Sequence, residues 1–201
     1  MASIVEICNL ALAKIGQATI NSITENSPQA LQCNLFYNSS RDALLRQFEW
    51  NFSGYNKVLA VISTTVPGWD YVYAYPSNVI DIRYVYSSDI PNPEVPNEFE
   101  VVYNGTNKLI CCNIYQAYAK CSYIVTDPTL FDPLFTEAFS CKLGLEISTG
   151  LTNSTSKKQE VAAMYQQALS NAMLAGSIEG GKPKNPNNYA KSSKFYISGR
   201  W

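Results

Sequence analysis

Asp127 and Asp132 bracket the run DPTLFD, and Glu98 and Glu100 alternate in NEFE. Glycoside hydrolysis requires only an acid and a second carboxylate at a set separation, so these pairs permit a glycan or peptidoglycan hydrolase. Each aspartate, however, precedes a proline, the pattern of a turn former or of a helix cap with Pro in the first turn. Glu98 and Glu100 share one face of a strand, which suits a solvated side. Asp81 and Arg83 alternate in the same way against an Ile/Tyr face. They are expected to form a surface ion pair or, more sharply, an inter-subunit contact. The chain contains no histidine, so every Ser-His and Cys-His nucleophile arrangement and the familiar zinc-hydrolase motifs are excluded. GSIEGGKP, residues 176–183, has the outline of a phosphate loop. It follows a helix where a strand is needed, though, and Pro183 stands where a hydroxyl should bind magnesium. A helix stop at Gly176 leading into a linker is the simpler reading. The cysteines (Cys8, Cys33, Cys111, Cys112, Cys121, Cys141) form no CxxC pair and fall mostly on apolar positions. They read as small hydrophobes in a reducing compartment, and no metal or cofactor is expected.

Composition points away from catalysis as well. Of 201 residues 46% are hydrophobic and only 15% charged, against a usual quarter, and there are 14 Tyr and 8 Phe. Such a chain builds a real core and is left with a surface poor in charge, part of which is expected to be covered by other subunits or partners. Charge is also unevenly distributed. From Glu179 onward Lys182, Lys184, Lys191, Lys194 and Arg200 face a single acid, leaving 10 basic and 15 acidic side chains for residues 1–178. An acidic body with a basic, aromatic tail reads as a body with a reaching arm rather than as a nucleic-acid-binding domain. The first residues lack a basic stretch and carry Glu6 inside their apolar run, which does not suit a signal peptide, and no segment has a membrane-spanning length.

Helices and strands must position these groups. Ser3 and Glu6 form a capping box ahead of a helix over about 4–15, with Gly16 at its end. Ser27-Pro28 opens a second helix reaching about Phe48, and FEWNF (48–52) forms an aromatic knot expected to pin its end to the core. Alternation then replaces helical periodicity. Tyr71, Tyr73 and Tyr75 share a strand face. They would make a stacking platform for sugar or single-stranded nucleic acid, but no base lies between Lys57 and Arg83, so sheet core or protein interface is expected. Strands at NVIDIRYVY, a hairpin turning at Asn104-Gly105 and a strand over about 117–126 complete an antiparallel meander. Asp132-Pro133 starts a third helix, apolar nearly all round, that is either buried centrally or wedged between subunits through Phe135, Phe139 and Leu143. The last helix ends at Gly176. The fold class is α+β: a four-helix core (1–54 plus 128–178) interrupted by an antiparallel β-sheet insertion (55–127), with an extended C-terminal arm (179–201).

The order of these elements, with CNLALAKIGQATINSI, RDALLRQFEWNF, YVYAYPSNVIDIRYVY, FEVVYNGTNKLICC, the run from Tyr123 to Ser154 and MYQQALSNAMLAGSIE, resembles the tail tubular protein A family, the head-to-tail adaptors (connectors) of short-tailed bacteriophages. The resemblance covers most of residues 1–180. It implies a structural virion protein, not an enzyme. Such a protein forms a dodecameric ring between the portal protein and the tail nozzle, a tail tubular B-type protein, and double-stranded DNA passes through the lumen during ejection without specific binding. It implies assembly in the host cytoplasm and residence at the head–tail junction, with no membrane partner. The arm matches only in character, through a basic–aromatic ending. Tyr189, Lys191, Lys194, Phe195, Tyr196, Arg200 and Trp201 are its expected portal-binding residues, and Asp81, Arg83, Phe135, Phe139 and Leu143 the expected inter-subunit residues. The alternatives are a virion-borne hydrolase using the carboxylates above and a generic oligomeric binding module.

Overall fold

The computed structural model describes residues 2–179, apart from 92, 94 and 153. Helix α1 (Ile4–Lys14) starts at the expected capping box: Ser3 Oγ accepts from the Glu6 amide at 3.1 Å, and the Ser3 amide donates back to Glu6 Oε2. It ends on Gly16 at φ +71°, where the Gly16 amide donates to Ala13 and the Gln17 amide to Leu12. A residue without Cβ is needed for that turn. Asn9 then ties down the connecting loop, donating to the Ile20 carbonyl and accepting from the Ile20 amide. Helix α2 (Pro28–Gln47) is capped by Ser27 and begins at Pro28.

Six strands follow: β1 (Gly54–Val58), β2 (Tyr71–Ala74), β3 (Val79–Tyr86), β4 (Phe99–Tyr103), β5 (Lys108–Cys112) and β6 (Tyr118–Tyr123). They do not form a single meander. Two three-stranded antiparallel sheets are built instead, in the orders β1-β6-β3 and β2-β5-β4. Chain neighbours β2 and β3 part company at the Pro76–Asn78 corner, where Asn78 has φ +58°. Burial explains the split. Tyr73, Ile110 and Cys112 of one sheet pack with Ile82, Val85, Ala119 and Cys121 of the other, so the sheets share a core face to face. The back of the second sheet carries Val72, Leu109 and Cys111 under Ile62, Val66 and Trp69. Cys111 and Cys112 thus point to opposite faces, and both are buried because both faces are covered. The tyrosine row belongs to this interior. Tyr73 donates from its hydroxyl to the Ile114 carbonyl at 2.6 Å and accepts from the Ala117 amide.

Helix α3 (Pro133–Leu151) is the centre of the helical core, in contact with α1, α2 and α4 (Thr155–Glu179). Its all-round apolar character is satisfied inside the subunit: Phe135, Phe139, Leu143 and Ile147 are fully buried. The expectation that Phe135, Phe139 and Leu143 meet a neighbouring subunit is therefore corrected. Three surrounding helices occupy the faces that sequence periodicity left open. At Gly144 a Cβ would come within 3.2 Å of the Ala11 carbonyl oxygen, which is how α1 approaches α3 so closely. Helix α4 also departs from expectation. It runs through Gly176 to Glu179 because Gly176 lies against the Phe48 ring and its carbonyl accepts from Asn51 Nδ2, so a contact replaces the stop.

The FEWNF knot joins the two halves. Trp50 is 3% exposed, and its ring meets Phe48 at 5.0 Å and Phe135 at 4.9 Å. Its indole donates to the Leu44 carbonyl at 2.8 Å, and Phe52 meets Phe135 at 4.9 Å. Replacing Trp50 by Ala removes both the buried ring and that hydrogen bond. We expect a loss of about 3–5 kcal/mol in urea unfolding, with helical and β-sheet signals weakening together.

Candidate functional site

Asp81 and Arg83 are not partnered with each other. Asp81 pairs with Arg46 of α2 at 2.9 Å, and Arg46 also donates to the Ile80 carbonyl. Burial raises the Asp81 carboxyl from its ordinary value, and Arg46 opposes that rise. Arg83 reaches the opposite way, with Nη2 donating to the Trp50 carbonyl at 2.7 Å and to Ser53 Oγ at 3.1 Å, and Nε donating to Ser122 Oγ at 2.9 Å. Strict alternation does not hold along β3: register shifts between Val79 and Asp81 and between Ile82 and Tyr84 bring Ile82 and Val85 to the same core. The partners were missed because they come from residues 30 and more positions away, with no local signal. Both groups tie the β sheets to the helical core within one chain, which corrects their assignment as a mutual surface pair and gives each an intrachain role.

Two of the carboxylate candidates, Asp127 and Asp132, are occupied as caps. Asp127 Oδ1 accepts from the Thr129 amide at 2.9 Å and from its hydroxyl at 2.7 Å, which holds the Asp127 carboxyl below its usual range. Asp132 Oδ1 caps α3, accepting from Leu134 at 2.8 Å and Phe135 at 3.2 Å. Glu100 accepts from the Trp69 indole at 3.1 Å. Among the described residues all six cysteines are free and buried, and no group of three or more Cys, Asp or Glu is placed to hold a metal ion. No helix among them is long and apolar enough to cross a membrane.

A surface remains that the fold itself does not use. Leu31 and Leu35 stand one turn apart on the outer face of α2, 59% and 67% exposed. No charged residue occurs from Ser27 to Ser40 to solvate that face. Leu174 and Ile178 form a second one-turn pair near the end of α4, and both are exposed. On the β side Tyr55 and Val58 of β1, Tyr103 and Tyr115 are exposed. Isolated exposed apolar groups are ordinary, but one-turn pairs on an uncharged helix face are the pattern of a contact surface. Apolar periodicity alone does not single out Leu31 and Leu35, because the buried Cys33 and Tyr37 form an equally regular stripe on the same helix. The signal was the charge-free run. The expected arm residues Tyr189, Lys191, Lys194, Phe195, Tyr196, Arg200 and Trp201 lie outside the described residues.

The chain thus has an α+β fold, a four-helix core interrupted by antiparallel β-structure. No protein-family model and no curated protein matches its sequence.

Two measurements test these assignments. Arg83→Met removes three donated hydrogen bonds at once, although the Trp50 carbonyl keeps the Ser53 amide and hydroxyl as donors, and should cost about 1–3 kcal/mol in chemical denaturation. Asp81→Asn, at a half-exposed pair, should change stability by less than about 1 kcal/mol. Burial, followed by the nearby Asp81 carboxylate, pushes the Tyr75 phenol up to about 12, and burial pushes the Cys121 thiol up to about 11. The unfolded chain ionises both at lower pH and so binds fewer protons there. Stability should hold below the ordinary values and fall as pH rises toward 11 and 12, which tyrosinate absorbance and circular dichroism followed together will report.

Proposed function

We propose that this protein is a head-to-tail adaptor of a short-tailed bacteriophage. It is a structural virion protein whose subunits form a dodecameric ring between the portal and the tail nozzle. The observation that carries the reading is the uncharged outer face of α2 with Leu31 and Leu35, left uncovered by a chain whose own core is closed. A ring is built from one heterologous contact repeated until it closes, and such a contact needs an apolar patch of this kind on each subunit. The carboxylates held as caps and the absence of histidine support a conduit over a hydrolase. The acidic body supports a lumen wall that repels the DNA backbone and lets it slide without sticking.

Residues 179–201 are the arm that attaches the ring to the portal. Burying Phe195, Tyr196 and Trp201 would contribute roughly 1.5–3 kcal/mol each, less the cost of ordering them. One arm alone holds weakly. Arms repeated around a ring act multivalently, and attachment becomes effectively permanent.

The test is electron microscopy of the protein mixed with the portal of its own phage, where a ring seated on the portal is expected. Deleting residues 185–201 should leave a folded, soluble protein that no longer joins portal-containing heads, and undiminished joining would refute the arm. Leu35→Glu should keep the stability of the isolated chain within about 0.5 kcal/mol while preventing ring closure.

A further inference from the structure

Two hollows lie side by side where α4 ends. The smaller, about 220 Å³, is walled by Trp50, Phe52, Leu130 and Phe131 on one side and by Ala175, Gly176 and Glu179 on the other. The larger, about 510 Å³, continues from Phe52 and Leu130 between the start of β1 and the Pro76–Asn78 corner, with Tyr55, Tyr123 and Val125 along it. Phe52 and Leu130 are common to both, so together they form one trough running from the last residue of α4 across the end of the β1-β6-β3 sheet. Its floor is aromatic and aliphatic, and Leu130 stands 60% exposed within it. Asp127, Asp132 and Glu179 line the trough against one base, Lys57.

We propose that in the unassembled protein this trough is the parking site of the chain's own C-terminal segment, residues 185–201. Three observations select that occupant. Chain continuity is the first, because the segment leaves the described structure at Glu179, which is itself part of the trough wall. Charge is the second: residues 180–201 carry five bases and no acidic side chain, opposite a trough with three carboxylates and one lysine. Chemistry and reach are the third. The segment supplies Tyr189, Phe195, Tyr196, Ile197 and Trp201 to an apolar floor. A chain extends by up to about 3.3 Å per residue, so the segment is long enough to reach both hollows from Glu179. Tethering holds the local concentration of the segment near the millimolar range, enough to fill a site that a separate peptide would occupy poorly.

The parked tail keeps its aromatics from nonspecific contacts before assembly. A partner surface that binds the same side chains releases it by competition. The parking itself is a property of the lone chain. Only its consequence, delivery of the arm to a portal, rests on the adaptor reading.

Hydrogen exchange read by mass spectrometry tests it on the full chain and on a chain ending at residue 184. The expected result is protection of residues 52–58, 125–130 and 189–201 in the full chain, unchanged on dilution. In the shortened chain residues 52–58 and 125–130 should exchange about tenfold faster. Leu130→Glu in the full chain should release the tail amides without altering the melting transition, and the peptide 185–201 should restore protection to the shortened chain only when added at about millimolar concentration, matching the tethered value. Equal exchange in the two chains would overturn the proposal. Protection that disappears on dilution would also overturn it, by assigning the trough to the tail of a second copy. Joining to portal-containing heads is scored separately. Lost joining on deletion with unchanged exchange would sink the parking site and leave the adaptor reading standing; joining retained by the shortened chain together with faster exchange of the trough would do the reverse.

Discussion

Contact between the Trp50 indole and the Phe135 ring is the constraint on which the two halves of this protein depend. Phe135 sits in the first turn of α3, fixed there by the Asp132 cap, and is buried beneath Trp50, Phe52, Phe131 and Phe139. Trp50 is held by its own donation to Leu44 and by Arg83, which donates to its carbonyl from β3. One aromatic cluster therefore receives the end of α2, the start of β1, the start of α3 and, through Arg83, the middle of a β-sheet. Edge-on ring contacts add only about 0.5–1.5 kcal/mol each beyond burial. Their importance lies in position, since residues 48–52 and 131–139, far apart in sequence, share one set of rings to which β3 is tied through Arg83.

That arrangement also decides what faces outward. Once α3 is enclosed by α1, α2 and α4, Phe135, Phe139, Leu143 and Ile147 are unavailable to any partner, and most of the surplus of hydrophobic residues has to be sought elsewhere. It lies on the outer faces of α2 and α4 and along β1, where no element among the described residues arrives. The trough beside Phe52 and Leu130 belongs to the same logic. Rings converge there from several elements without closing the surface over them.

Signals confined to a few residues were legible from the sequence. The Ser3–Glu6 capping box, the Ser27-Pro28 and Asp132-Pro133 starts, the Gly16 turn and the change from helical to alternating periodicity after residue 54 all rest on local backbone geometry or side-chain periodicity, and all four helices and the α+β class follow from them. Choices among equivalent partners were not legible. Nothing in residues 71–86 states that β2 and β3 enter different sheets, because each strand carries an apolar face that either neighbour would cover. Gly176 looks like a stop until Phe48 and Asn51 are placed against it.

The same division applies to the site. The sequence by itself determined that histidine-based catalysis is unavailable, that Asp127 and Asp132 are suited to capping, and that the body is acidic and poor in charge overall, since these depend on residue identity and immediate neighbours. Only the tertiary structure decided that Phe135, Phe139 and Leu143 are interior, that Arg83 serves Trp50 rather than Asp81, and that the other described residues leave Leu31, Leu35 and Leu130 exposed. Burial is a property of what arrives from elsewhere in the chain, and no local pattern encodes that.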